Sequence, residues 1–145
     1  ICNEGNLREV NKVLQKVQIN KPGDYRESEK FVNKDTFVYF DPPYRPISNS
    51  SSFTSYSKFD FGDKEQKELA LYLKDLNKVN AKLMLSNSDP RNVNPGDDFF
   101  ETEETYGQED IFHIIRVQAR RSINSKSSDR GKINELLITN YCTDN

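Results

Sequence analysis

Thr36-Phe37-Val38-Tyr39-Phe40-Asp41-Pro42-Pro43-Tyr44 is an apolar run that stops in a proline corner, and its two parts predict different things. The run Thr36 to Phe40 is apolar on both faces, as expected of a central parallel strand covered on both sides. Each proline holds φ at about −65°, lacks an N–H and drives the preceding residue into an extended conformation. A strand ending this abruptly leaves its next side chains at the carboxyl edge of a sheet, where open α/β folds bind ligands. The corner is stiff and offers acceptors with little donor competition. The Asp41 carboxylate and the neighbouring carbonyls can together accept both hydrogens of an exocyclic amino group, and Tyr44 can stack on the ring that carries it.

Downstream of the corner, residues 45 to 61 interleave serines with Phe53, Tyr56, Phe59 and Phe61. Such a segment reads either as a loop pinned by its own aromatics or as a lid that orders over a bound ligand, and its position beside the corner favours the lid, with Phe53 and Tyr56 as its contacts. Asp63 is expected to cap a helix running to Lys78, with Gln66 at the capping-box position and Leu69, Tyr72, Leu73 and Leu76 as its buried stripe. Ala81 to Ser86 reads as the next strand. The resulting strand, helix, strand unit predicts two parallel strands joined by a right-handed crossover. Ser86-Asn87-Ser88-Asp89 then ends the second strand on the same sheet edge as Asp41, either lining the pocket or holding the corner by hydrogen bonds. Ile111 to Ala119 and Ile133 to Tyr141 predict an antiparallel hairpin.

Upstream, Leu7 to Lys16 reads as a helix capped by Asn6 and Glu9, with a short strand at Val17 to Asn20 and a turn at Pro22-Gly23-Asp24. A chain of 145 residues is one domain by size. Net charge is −2, but a basic stretch from Arg116 to Lys132 (Arg116, Arg120, Arg121, Lys126, Arg130, Lys132) follows an acidic one from Asp97 to Asp110. A basic hairpin tip beside an acidic loop suits contact with phosphate on one side, or a solvated tip. Cys2 and Cys142 lack metal-ligand spacing and the chain has one histidine, so no metal site is expected. No membrane-spanning run or signal peptide is apparent, which predicts a cytoplasmic protein.

The corner resembles the catalytic motif of S-adenosylmethionine-dependent amino-methyltransferases that act on adenine in DNA. Leu85-Ser86-Asn87-Ser88-Asp89, Arg120-Arg121-Ser122-Ile123-Asn124 and the run from Arg130 to Tyr141 resemble, in order and spacing, later segments of the Dam-type, DpnII-like branch of that family, the D12 class. The resemblance covers roughly residues 36 to 141. It implies a partial Rossmann-like S-adenosylmethionine-dependent methyltransferase sheet of α/β class, mainly parallel with a terminal antiparallel hairpin. It further implies Asp41, Pro42, Pro43 and Tyr44 as catalytic residues, with Asp41 also against S-adenosylmethionine. Double-stranded DNA with a flipped adenine is the implied partner, GATC the implied target, and a restriction-modification or phage system the implied setting. Arg120, Arg121, Lys126, Arg130 and Lys132 are the expected phosphate contacts, and Phe53, Tyr56, Ser86, Asn87, Ser88 and Asp89 the expected pocket and lid.

Members of this family also carry a Phe-x-Gly-x-Gly cofactor loop ahead of the motif. The six glycines here are scattered and form no such loop. Residues 36 to 145 are therefore expected to be the catalytic half of a longer enzyme, residues 1 to 35 the end of its recognition region, and the cofactor loop part of a missing amino-terminal half. Two alternatives stay open: an amino-methyltransferase acting on RNA or protein, and a fragment that binds DNA or a partner without catalysis. A Pro-Cys pair is absent, so cytosine ring-carbon methylation through a cysteine nucleophile is not expected.

Overall fold

The computed structural model describes residues 3–46, 61–108, 110–120 and 132–143. Among these residues lie the helices α1 (Glu4–Leu14) and α2 (Asp63–Asn77) and the strands β1 (Phe37–Phe40), β2 (Lys82–Ser88), β3 (His113–Arg120) and β4 (Lys132–Thr139). Short 3₁₀ helices occur at Tyr25–Phe31, Pro90–Asn92 and Phe99–Glu101. The four strands form one sheet in the order β1-β2-β4-β3. β1 and β2 are parallel, with Phe40 opposite Leu85, and the expected antiparallel hairpin of β3 and β4 is present. β4 inserts between β2 and β3, running antiparallel to both, with Leu137 opposite Ser86 and Ile115. One pairing of three is thus parallel, and the expected mainly parallel arrangement is not what the described strands form.

The core is the α2 face of this sheet. Leu83 and Leu85 of β2 and Leu136 and Ile138 of β4 are fully buried together with Leu69, Ala70, Leu73 and Leu76 of α2. These helix residues recur at the three- and four-residue spacing of one helix face, and each fully buried leucine contributes about 1.5–3 kcal/mol. Phe100, Tyr106 and Phe112 extend the core beyond the sheet, with the Tyr106 ring 6.4 Å from Phe100 and 5.3 Å from Phe112. Gly107 is required there, because a Cβ on it would lie 2.0 Å from the Glu101 carbonyl oxygen. Asn80, at φ 59°, takes the left-handed conformation in the turn from α2 to β2.

β1 is an edge strand of the described sheet. Val38 and Phe40 pack on the core, but Phe37 and Tyr39 on the opposite face are 56% and 53% exposed. Upstream expectations shift as well. Asn3, not Asn6, caps α1, accepting from the Asn6 N–H at 3.1 Å, and α1 buries none of its residues. No strand forms at Val17 to Asn20, and no strand among the described residues pairs with this segment. No helix among the described residues is long and apolar enough to cross a membrane.

Candidate active site

The parallel pairing of β1 with β2 places the start of the proline corner beside Ser86, Asn87 and Ser88, and alternation along β2 sends these neighbours to opposite faces. On the face shared with Tyr39, the Tyr39 hydroxyl donates to Ser86 Oγ at 2.9 Å and Ser86 Oγ donates to Asp41 Oδ1 at 3.2 Å. On the α2 face, fully buried Asn87 donates through Nδ2 to Gln66 Oε1 at 3.1 Å and accepts from the Arg45 N–H at 2.9 Å. Gln66, also fully buried, donates to the Pro43 carbonyl at 2.9 Å, and Ser88 Oγ donates to the Arg45 carbonyl at 2.6 Å. For the fully buried Gln66 and Asn87 an unmade bond would cost about 1–3 kcal/mol, so these two hold the corner in one geometry.

The cap of α2 contributes to this arrangement. Gly62 is the N-cap, and Glu65 closes the capping box by accepting from the Gly62 N–H at 2.9 Å. The expected capping pair Asp63 and Gln66 is therefore displaced by one residue, which frees both for the corner. Asp63 takes two hydrogen bonds from Arg45, at 2.7 and 3.2 Å, while Arg45 Nη1 reaches Asp97 Oδ2 at 2.9 Å and the guanidinium lies 4.3 Å from the Phe99 ring centre.

Asp41 is solvent-accessible and lines a cavity of about 270 Å³ with Tyr25, Tyr39, Phe40, Pro42, Pro43 and Phe61. Its walls are aromatic and proline surface, and Asp41 is its one charged group. Among the described residues, one oxygen of Asp41 accepts from Ser86, the Pro43 carbonyl is taken by Gln66, and no donor reaches Asp41 Oδ2 or the Pro42 carbonyl. Acceptors left open by the described residues on two consecutive cavity-lining residues suit an amino group with two hydrogens. Tyr44 is half-buried and does not line that cavity. Burial raises its phenol pKa, the Ser86 hydroxyl acts in the opposite direction, and the charges of Glu135 and Asp41 add to the rise. The ring is therefore neutral at neutral pH and stands on the Ser86 side of the corner.

Of the other expected site residues, Asp89 is buried and turned to a structural use. Its Oδ1 caps the turn at Arg91 and its Oδ2 accepts from Arg116 Nε at 3.0 Å. Arg116 also pairs with Glu101, so this member of the basic stretch is engaged internally. Phe53, Tyr56, Arg121, Lys126 and Arg130 lie outside the described residues. Arg120 and Lys132 face each other across the hairpin as backbone partners. Cys142 Sγ lies 3.5 Å from His113 Nε2, and among the described residues no three His, Cys, Asp or Glu side chains gather as a metal site would need.

Sequence reasoning missed Gln66, Arg45 and Asp97. Gln66 carries a readable signal, since it falls on the apolar stripe of Leu69, Ala70, Leu73 and Leu76, and a polar residue in such a stripe needs a buried partner. Arg45 carries none, because its partners are 18 and 52 residues away.

Residues 1–123 match the model of the family described as D12 class N6 adenine-specific DNA methyltransferase. The chain is similar to the Type II methyltransferase M.MjaIII of Methanocaldococcus jannaschii, at 46% identity over 142 residues, covering 97% of this chain and 45% of that protein. It is similar to the Type II methyltransferase M1.LlaDCHI of Lactococcus lactis subsp. cremoris, at 39% over 119 residues, covering 82% and 38%. The DNA adenine methylase of Escherichia coli (strain K12) is 33% identical over 113 residues, covering 78% of this chain and 36% of that protein. The chain thus spans less than half the length of these relatives.

Proposed function

Because the chain belongs to the D12 class N6 adenine-specific DNA methyltransferase family, a family of enzymes, we propose that residues 36 to 145 form the catalytic half of an enzyme that methylates adenine N6 in DNA. The observation that carries this reading is that Asp41 and Pro42, whose Oδ2 and carbonyl oxygen take no donor among the described residues, both line an aromatic cavity. The two hydrogens of the adenine amino group donate to these oxygens, which turns the nitrogen lone pair out of ring conjugation and toward the methyl donor. Positive charge that develops on the nitrogen faces the Asp41 carboxylate, which stabilises it without acting as a strong base. The proton lost from nitrogen leaves to solvent.

Adenine reaches the corner only after extrusion from the duplex, which costs a few kcal/mol. Stacking on the neutral Tyr44 ring offsets about 1–3 kcal/mol of this. Phe53 and Tyr56 then close over the base, and Arg120, Arg121, Lys126, Arg130 and Lys132 hold phosphates at the hairpin tip. The residues present fit S-adenosylmethionine as cofactor, since a cavity walled by Tyr25, Tyr39 and Phe40 rings with one carboxylate suits a sulfonium cation. When bound there, S-adenosylmethionine supplies an electrophilic methyl group. A glycine loop for its amino-acid tail comes from a preceding half, which also completes a Rossmann-like sheet on the open edge of β1. Residues 1 to 35 belong to the recognition region, consistent with an α1 that buries nothing. GATC is the target this branch suggests, in a restriction-modification or phage setting, inside the cytoplasm.

The reading is tested by incubating the full-length protein with S-adenosylmethionine labelled on its methyl group and with duplex DNA, RNA or protein, then digesting each product. Label in N6-methyladenine from DNA supports it. Label confined to RNA or protein overturns the substrate, and retarded DNA without label overturns catalysis.

A further inference from the structure

The peptide groups on both sides of Tyr44 are held. Before it, the Pro43 carbonyl accepts from Gln66 at 2.9 Å; after it, the Arg45 N–H donates to Asn87 at 2.9 Å and the Arg45 carbonyl accepts from Ser88 at 2.6 Å. The Arg45 side chain leaves the corner in another direction. It does not line the cavity, but spans the first turn of α2 at Asp63 and the loop at Asp97, and stacks on Phe99. A guanidinium fork is needed for this, since two bonds to one carboxylate, a third to another and a stacked plane exceed what a lysine ammonium can make. The Arg45 side chain is 16% exposed and Asp97 25%, so solvent screens that contact less than the one to Asp63, which is 56% exposed.

We propose that Arg45 is a positioning residue that sets the aim of Tyr44, by anchoring the chain just past the tyrosine to Asp63, Asp97 and Phe99. The inference rests on the corner being the amino-methylation site. Without the clasp, the peptide after Tyr44 is held by Asn87 and Ser88 alone, and the ring drifts from the face of the extruded base. A misplacement of about 1 Å costs roughly a hundredfold in rate.

The test uses the full-length protein with R45K, D97N, Y44A and the R45K/Y44A double variant. Single-turnover methylation by R45K falls about tenfold to a hundredfold, with DNA affinity unchanged, and D97N falls in the same direction. R45K/Y44A is no slower than Y44A, because the ring that Arg45 aims is already gone. An R45K rate within about twofold of wild type, or an R45K loss that multiplies fully onto that of Y44A, overturns the proposal. D97N keeps the test open where R45K does not fold. Amide hydrogen exchange at Arg45 gives a readout independent of chemistry: both variants accelerate it if the clasp holds the corner, and unchanged exchange overturns the proposal. Faster exchange in a protein whose wild type methylates no adenine upholds the clasp and sinks the functional reading instead.

Discussion

Ser86 joins two residues through one hydroxyl, accepting from Tyr39 and donating to Asp41, which among the described residues has one bound oxygen and one open. Ser86→Ala removes the restraint and keeps the carboxylate. A rate lowered about tenfold with unchanged DNA affinity is expected from single-turnover kinetics. The proposed stacking uses the ring of Tyr44 rather than its hydroxyl, so Tyr44→Phe should keep turnover close to wild type, whereas Tyr44→Ala should lower turnover more than duplex affinity, as measured by kcat against gel-shift Kd. At Asp97, burial raises the carboxyl pKa, but hydrogen bonds from Arg45 and the Phe99 N–H outweigh it and hold the group below its ordinary 3.8. Between the lowered value and 3.8 the unfolded chain binds the proton more readily, so this contribution to stability is present above 3.8 and is lost as pH falls through the folded value. Asp97→Asn should remove that part of the acid dependence, measured as Tm against pH.

At the scale of elements, the corner is held by a helix and a strand that pack for ordinary apolar reasons and carry one polar residue each into the core. Gln66→Leu leaves Asn87 Nδ2 and the Pro43 carbonyl without partners, with an expected loss of about 1–3 kcal/mol in urea unfolding. Gly107→Ala places a methyl against the Glu101 carbonyl and should cost about 1–3 kcal/mol or more. α2, the parallel pairing of β1 with β2 and the β3–β4 hairpin were legible, because periodicities of 3.6 and 2 report which face is buried. The 3₁₀ helix at Tyr25–Phe31 and the one-residue shift of the α2 cap were not, since Gly62 and Asp63 are both acceptable N-caps and a tertiary demand for Asp63 chose between them. The position of β4 between β2 and β3 was not legible either, because a hairpin's pattern does not state which of its strands meets the rest of the sheet.

Across the whole molecule, charge and apolar surface point in different directions. Arg45, Arg91 and Arg116 are engaged in internal ion pairs. If Arg120 and Arg121 contact phosphate as proposed, replacing both with alanine should flatten the slope of log K against log salt by roughly 2. Two of the acidic partners of these arginines, Asp97 and Glu101, come from the stretch that reads in sequence as mere negative charge, since composition does not reveal which charges are spent on folding. Phe37, Tyr39 and the α1 residues Leu7, Val13 and Leu14 are more than half exposed. The 145-residue chain by itself should therefore bind a hydrophobic dye, measured by fluorescence enhancement. The placement of Asp41 beside Ser86 at the end of β1 was legible in the proline corner, whereas the buttress of Gln66, Arg45 and Asp97 depends on contacts across the fold. The most direct measurement is the single-turnover rate of N6-adenine methylation by the full-length protein and by Asp41→Ala, at saturating DNA and S-adenosylmethionine. A loss of about a hundredfold to a thousandfold with DNA still bound is the expected result. A variant that methylates adenine at close to the wild-type rate would contradict the placement of the amino group on Asp41.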